Sequence, residues 1–321
     1  MKTLSYRRPL RLAAALGALA VMASQVPGSA AEAPYPGLPA IEPAEGGGGG
    51  WVGVAQTAMT QVERAEQWVR LPAVPAAAFS AIGITNYPSD DPRLTTFHFR
   101  NDAFFVSPPG SKHNYGDMPP FRVRTVAFGT IPVEATVQIS QQRSPDGLPK
   151  AFTFRTDDTR YRDGQAFFED SHIADKLHVK ILALRIDELR LPLTGRCETV
   201  RPAALDVTGK GGRFNSADEI PSAGHHEDMF FVSAGGRLSG TVDIPPFQDC
   251  VTSGGDDLSA LLTAAVSGSD NPITLQVGTP TCLPDTGGET MPPSPGSSTL
   301  EKANCKGPAV PNTPPYPPRP R

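Results

Sequence analysis

"LHVKILALRI", residues 177–186, decides how the middle of the chain is read. Leu177, Val179 and Ile181 alternate with His178 and Lys180, the two-residue period of a strand with one buried face. The apolar set then shifts by one position to Leu182, Leu184 and Ile186, which predicts a β-bulge that re-aims the strand. The same alternation of apolar and β-branched residues recurs in "TTFHF", "AFFVS", "FRVRTVAF", "VEATVQIS", "AFTFRT", "AALDVTG", "RLSGTVDI" and "ITLQVG", each bounded by Gly, Pro, Asn or Asp. Short strands at this spacing predict a mostly β, antiparallel sandwich-like fold. The expected division is a first β-rich unit over 51–172 and a second over 173–285.

Helix is expected in two places only. "DDLSALLTAAVSG" sets Leu258, Leu261, Leu262, Ala265 and Val266 on one face, with Asp256 or Asp257 as cap and Gly268 as stop, giving a helix over 257–267. Residues 51–69 offer a second short helix through Val54, Ala58, Val62 and Val69.

Two blocks are alike at a constant offset of 126 positions: "DAFFVSPPGSKHNYGDMPPF" at 102–121 and "DMFFVSAGGRLSGTVDIPPF" at 228–247. The shared residues build strands and turns. Asp102 and Asp228 suit backbone amides beside a strand, Gly110 and Gly236 suit a turn, and each Phe-Phe pair puts one ring on either face. The blocks therefore read as an architectural unit used twice rather than as a repeated site.

The run from "LRLPLTGRCETVRPAALDVTGKGGRF" through "GRLSGTVDIPPFQDC" to "DDLSALLTAAVSGSDNPITLQVGTPTC", with "VAFGTIPVEATVQI" ahead of it, resembles secreted β-rich proteins of unknown function from high-GC Gram-positive bacteria. The likeness covers about 121–282. It implies export and a β domain with paired cysteines, and it implies no activity.

The ends of the chain agree with export. Residues 1–31 combine a basic start, the apolar run "LAAALGALAVMA" and a small-residue stretch, as a cleaved signal peptide does. Loss of Lys2, Arg7, Arg8 and Arg11 lowers Lys plus Arg from 29 to 25 against 33 Asp plus Glu, so the mature net charge becomes −8. That balance argues against nucleic acid as a partner. No apolar run elsewhere is long enough to span a bilayer as a helix. Residues 32–50 read as a Pro- and Gly-rich linker and 286–321 as a Pro-rich disordered tail. Two "LPxTG" stretches, at 191–195 and 283–287, lack the hydrophobic segment that wall anchoring needs.

Four cysteines, Cys197, Cys250, Cys282 and Cys305, point to disulfides in an exported chain, with connectivity open among three pairings. Candidate chemistry gathers at His225, His226, Glu227 and Asp228, whose imidazoles and carboxylates are zinc or calcium ligand types. Ser269, Asp270 and Asn271 spell the S-D-N triplet of penicillin-recognising enzymes but stand alone, at the turn from helix to strand. No G-x-S-x-G, H-E-x-x-H or phosphate loop occurs, and no catalytic residue is assigned. The expected function is a non-enzymatic binding or structural role outside the cell or at the envelope, with an envelope component or secreted protein as partner. A secreted hydrolase acting on envelope polymers or lipids and a metal-binding exported protein are the alternatives.

Overall fold

The computed structural model of the protein describes residues 37–41, 48–85, 94–127, 131–161, 164–187, 189–216, 228–232 and 234–280, together with Glu219 and Pro314. The signal peptide and the tail cysteine Cys305 lie outside the described residues, as do Cys282, His225, His226 and Glu227.

Two long hairpin-linked strands form the centre: β1 (Gly48–Val62) and β2 (Gln67–Thr85), antiparallel over most of their length. On one side follow β3 (Leu94–Phe105), β6 (Phe152–Tyr161), β7 (Ala166–Phe168) and β12 (Gly212–Phe214). On the other side follow β16 (Gly268–Val277), β14 (Gly235–Ile244), β11 (Ala203–Gly209) and β8 (Ser171–Ile186). The hairpin of β4 (Phe121–Ala127) and β5 (Ile131–Gln141) extends β8, and β9 (Leu189–Leu191) and β10 (Glu198–Thr199) pair with it as well. Two-residue β13 (Phe230–Phe231) pairs β14, and β15 (Phe247–Gln248) pairs β10.

The mostly β, antiparallel reading with few helices is what the chain adopts, in the form of one sheet that curls into a half-barrel. Strands from the two halves of the sequence adjoin at β1–β16, β5–β8 and β7–β12. The two wings also meet across the gap. Phe154 of β6 meets Phe230 of β13 edge-on, ring centroids 5.7 Å apart, and Leu177 of β8 packs against the same clusters.

The bulge foreseen in 177–186 is present. Val137 pairs Ile181 and Thr136 pairs Ala183, which leaves Leu182 unpaired and exposed, while Leu184 and Ile186 return to the inner face. A second irregularity sits at Pro72. Gln56 pairs Val74 and Ala58 pairs Leu71, so the ladder breaks around a residue that has no N–H to give. The Thr57 hydroxyl donates to the Leu71 carbonyl at 2.8 Å beside this break.

Helix over 51–69 is corrected. Residues 48–62 are strand, Glu63–Ala65 form a single 3-10 turn, and Val69 belongs to β2. The physical reason is an ambiguity of spacing: Val54, Ala58 and Val62 lie four apart, a separation that one face of a strand shares with one face of a helix. The true helix, α1, runs Ser259–Val266, shorter than 257–267. Leu258 is its N-cap without a side-chain cap bond, although the Asp257 carboxylate accepts from the Ser259 amide at 2.8 Å. Gly268 does not stop α1. Ser267 leaves the helix in extended conformation and Gly268 begins β16.

Within the stretch read as a linker, Leu38 and Ile41 are buried on the convex face against Phe79, Phe104 and Tyr115. The likeness of blocks 102–121 and 228–247 does not extend to conformation. In the first, the Phe pair ends a long strand and residues 107–120 form an irregular loop; in the second, the residues after the pair become β14. Phe105 faces inward in one block and Phe230 in the other, so the phase is opposite. Asp102 is buried and accepts from the Thr153 hydroxyl, while exposed Asp228 takes Arg237 at 3.1 Å. Both carboxylates thus engage side chains, where backbone amides were expected. Gly110 and Gly236 do hold positive φ, 82° and 132°; Gly110 does so in a turn, whereas Gly236 lies in β14, paired with Phe230 and Val277.

Cys197 and Cys250 form a disulfide beside the β10–β15 pair, packed with Leu184, Phe247 and Leu262. Closing a loop across 53 positions restricts the unfolded chain by about 4 kcal/mol in the entropic limit, of which native bridges commonly deliver somewhat less. The double replacement Cys197→Ser with Cys250→Ser is expected to lower unfolding stability by about 3 kcal/mol, read as a lower urea midpoint; an unchanged midpoint overturns the structural role.

Candidate functional site

Strand pleating sends alternate side chains to the concave face of the half-barrel, and nearly all of these are apolar. In β1 the inward set is Val52, Val54, Gln56, Ala58, Thr60 and Val62. In β5 and β8 it includes Val137, Ile139, Leu177 and Val179, and in β16 it is Ile273, Leu275 and Val277. Helix α1 adds Leu261, Leu262 and Ala265 at one end.

These side chains do not fill the space between them. They line a partly open cavity of about 1060 Å³, at the upper end of the ~300–1,000 Å³ of small-molecule sites. Residue size explains the room on one wall, where Ala76, Ala78, Ser80 and Ala103 stand on adjacent strands and Ala78 pairs directly with Ala103. On the facing wall, Val123, Ile139, Leu177, Val179 and Leu275 are only half-buried although they point inward. Their remaining free surface is the cavity wall.

Water against so apolar a wall gives up hydrogen bonds, and an apolar guest that displaces it to bulk gains the burial of both surfaces. The lining favours a large apolar guest.

The polar exceptions are few and informative. Thr57 and Thr60 satisfy their hydroxyls on the Leu71 and Pro272 carbonyls. Asn101 is 3% exposed, and its Nδ2 has no hydrogen-bond partner in the protein. Asp158 lies on the same phase of β6 as Phe152 and Phe154 and is 9% exposed. Burial pushes its carboxyl up to about 7; Arg160 pulls it back, while Asp157 and Glu169 add to the rise. The Arg160 guanidinium lies over Phe97, 5.4 Å from the ring centre, and 5.9 Å from that of Phe168.

The residues singled out from sequence lie elsewhere. Of the metal candidates, only Asp228 is described, with its side chain 89% exposed and paired to Arg237. Among the described residues, no three His, Cys, Asp or Glu side chains converge as metal ligands would. The S-D-N triplet is structural. Asn271 is buried, donates to the Val242 and Gly268 carbonyls at 3.0 Å each, and accepts from the Glu63 amide at 3.0 Å. It thereby locks the β14–β16 irregularity to the turn after β1. The histidine–carboxylate pairs His98–Asp157 and His172–Asp206, both 2.8 Å, lie on the faces of β3, β6, β8 and β11 that point away from the cavity.

Sequence reading missed the cavity residues. The available signal was "FTFRTDDTRY", where Asp158 and Arg160 continue the phase of two phenylalanines. No protein family, curated protein or solved structure matches the chain.

Proposed function

We propose that this chain is a non-enzymatic binding protein that holds a long, flexible apolar ligand, of the size and character of a lipid, inside its half-barrel. The observation that carries this reading is the 1060 Å³ cavity with an almost unbroken aliphatic and aromatic wall. Each buried methylene of a guest gains about 0.8 kcal/mol, so a chain-like ligand collects affinity along its length without any specific contact. Export supports the reading. Residues 1–31 have the features of a signal peptide, and the Cys197–Cys250 bridge suits an oxidising compartment. Among the described residues, no helix is long and apolar enough to cross a membrane. A role outside the cell or at the envelope, exchanging an envelope lipid with a membrane, fits these properties together. The hydrolase alternative is not favoured by the site, because both histidine–carboxylate pairs face away from the cavity.

Titration with a dye that fluoresces in apolar surroundings tests the reading. Saturable one-to-one enhancement, reversed by a competing fatty alcohol, is the expected result; an unsaturable or absent signal on the folded protein overturns it.

A further inference from the structure

On a concave face this apolar, a buried ionisable group without a partner marks the polar end of a guest. Asp158 is such a group. It lines the cavity at 9% exposure, and its carboxyl feels burial and neighbouring charges but no hydrogen bond. Unlike the Asn101 nitrogen, which has almost no accessible surface, its unbonded oxygens still face the cavity.

Register fixes what surrounds it. Phe97 of β3 and Phe168 of β7 pair with Asp158 on either side and share its face. Arg160 stands two residues on, on the same face, about 7 Å away at ~3.3 Å per residue. Its side chain turns back along the strand: the guanidinium lies 5.4 Å from the centre of Phe97 and 5.9 Å from that of Phe168, the two rings that flank Asp158. The guanidinium thus sits beside the carboxyl, resting on rings and not on a carboxylate.

Both groups offer donors. Burial keeps a proton on Asp158 up to about pH 7, so its carboxyl presents an O–H, and a guanidinium has only N–H groups to give. Of the neighbouring acids, Asp157 points to the outer face and pairs with His98 at 2.8 Å, and Glu169 lies past the end of β7. Among the described lining residues, the other charged side chain is Arg64, in the turn between β1 and β2 at the α1 end.

We propose that the guest is a long-chain carboxylic acid, bound with its carboxylate between the Asp158 hydroxyl and the Arg160 guanidinium and its chain running toward α1. This rests on the cavity being a site for a long apolar ligand. One carboxylate brings two acceptor oxygens to two donors two residues apart. Arg160 is exposed as well as lining the cavity, so the head stays partly in water and its charge is not fully desolvated.

Dodecanoate, dodecanol and dodecylammonium share a chain and differ in the head, so their competition against the apolar dye reads the site. At pH 6 the wild-type chain should bind the acid about tenfold more tightly than the alcohol, the margin of a charge-assisted hydrogen bond over a neutral one, and the ammonium most weakly. Arg160→Gln should bring acid and alcohol to within about twofold, whereas Arg64→Gln should leave the margin in place. Between pH 6 and pH 8.5 the wild type should lose about tenfold in affinity for the acid as Asp158 ionises. Asp158→Asn keeps a donor at every pH and should not; His98, Asp157, Arg160 and Glu169 are the same in both proteins. Equal binding of acid and alcohol, preference for the ammonium, a margin removed by Arg64→Gln and not by Arg160→Gln, or parallel pH profiles of the wild type and Asp158→Asn each overturns the assignment. Should a variant not fold, the wild-type margin and its fall with pH decide. Dye uptake without a margin for the acid sinks the head-group assignment and leaves the cavity reading standing; absence of dye uptake sinks the cavity reading itself.

Discussion

Tryptophan at both Ala78 and Ala103 is expected to lower the affinity for an apolar dye or long-chain alcohol by about a hundredfold, and either replacement alone by about tenfold. The two alanines pair across β2 and β3 and both face the cavity, so two indoles side by side would occupy the space where a guest must lie. The magnitude follows from displaced contact. Excluding roughly three or four methylenes at ~0.8 kcal/mol each removes about 3 kcal/mol of binding, or about two powers of ten. Overpacking a filled core costs about 1–3 kcal/mol, whereas here the added rings enter existing space. The variants should therefore unfold at urea concentrations no lower than the wild type. Full dye binding by the folded double variant would place the ligand elsewhere on the molecule. Loss of stability equal to the loss of binding would show that these alanines meet packed neighbours, and that the cavity is not open in solution.

Part of this arrangement is written locally in the chain. The bulge at Leu182 is visible as a change of phase, because a strand reports its buried face every second residue. The strand nature of β1 was hidden for the complementary reason, since Val54, Ala58 and Val62 satisfy both periods and only the pairing to β2 and β16 settles which applies. The two alike blocks show how far local letters reach. Phe104-Phe105 and Phe230-Phe231 are the same dipeptide with opposite faces inward: the first pair ends β3 against β2, and the second forms β13 against β14.

The cavity is less legible still. An inward Leu looks the same in sequence whether it meets another side chain or borders open space. Which occurs depends on sheet curvature and on what stands opposite, as with Ala78 and Ala103 on one wall and Leu177 and Val179 on the other. What sequence does disclose is a charge on an apolar phase. Asp158 and Arg160 after Phe152 and Phe154 break the alternation expected of a wholly packed face, and the structure puts that break at the cavity.

Asp158→Asn is expected to raise stability at pH 8 by up to about 4 kcal/mol while leaving it nearly unchanged at pH 4. In the folded chain, burial lifts the Asp158 carboxyl from 3.8 to about 7, with Asp157 and Glu169 adding to the rise and Arg160 opposing it. The folded state therefore holds a proton that the unfolded state has released between about pH 4 and pH 7. Stability from this group is fully present below about pH 4, falls across that window, and is lost above about pH 7. Asparagine is close in shape and cannot ionise, so it keeps the low-pH condition at every pH. For a folded region of this size the difference at pH 8 corresponds to a melting temperature higher by on the order of 10 °C. Melting curves of both proteins from pH 4 to pH 8 measure it, and only their difference matters, because other titrating groups act equally on the two. A difference that grows with pH marks a carboxyl held protonated by its apolar surroundings. A constant difference would mean that Asp158 is solvated in the folded state, against the burial that the walls around it impose.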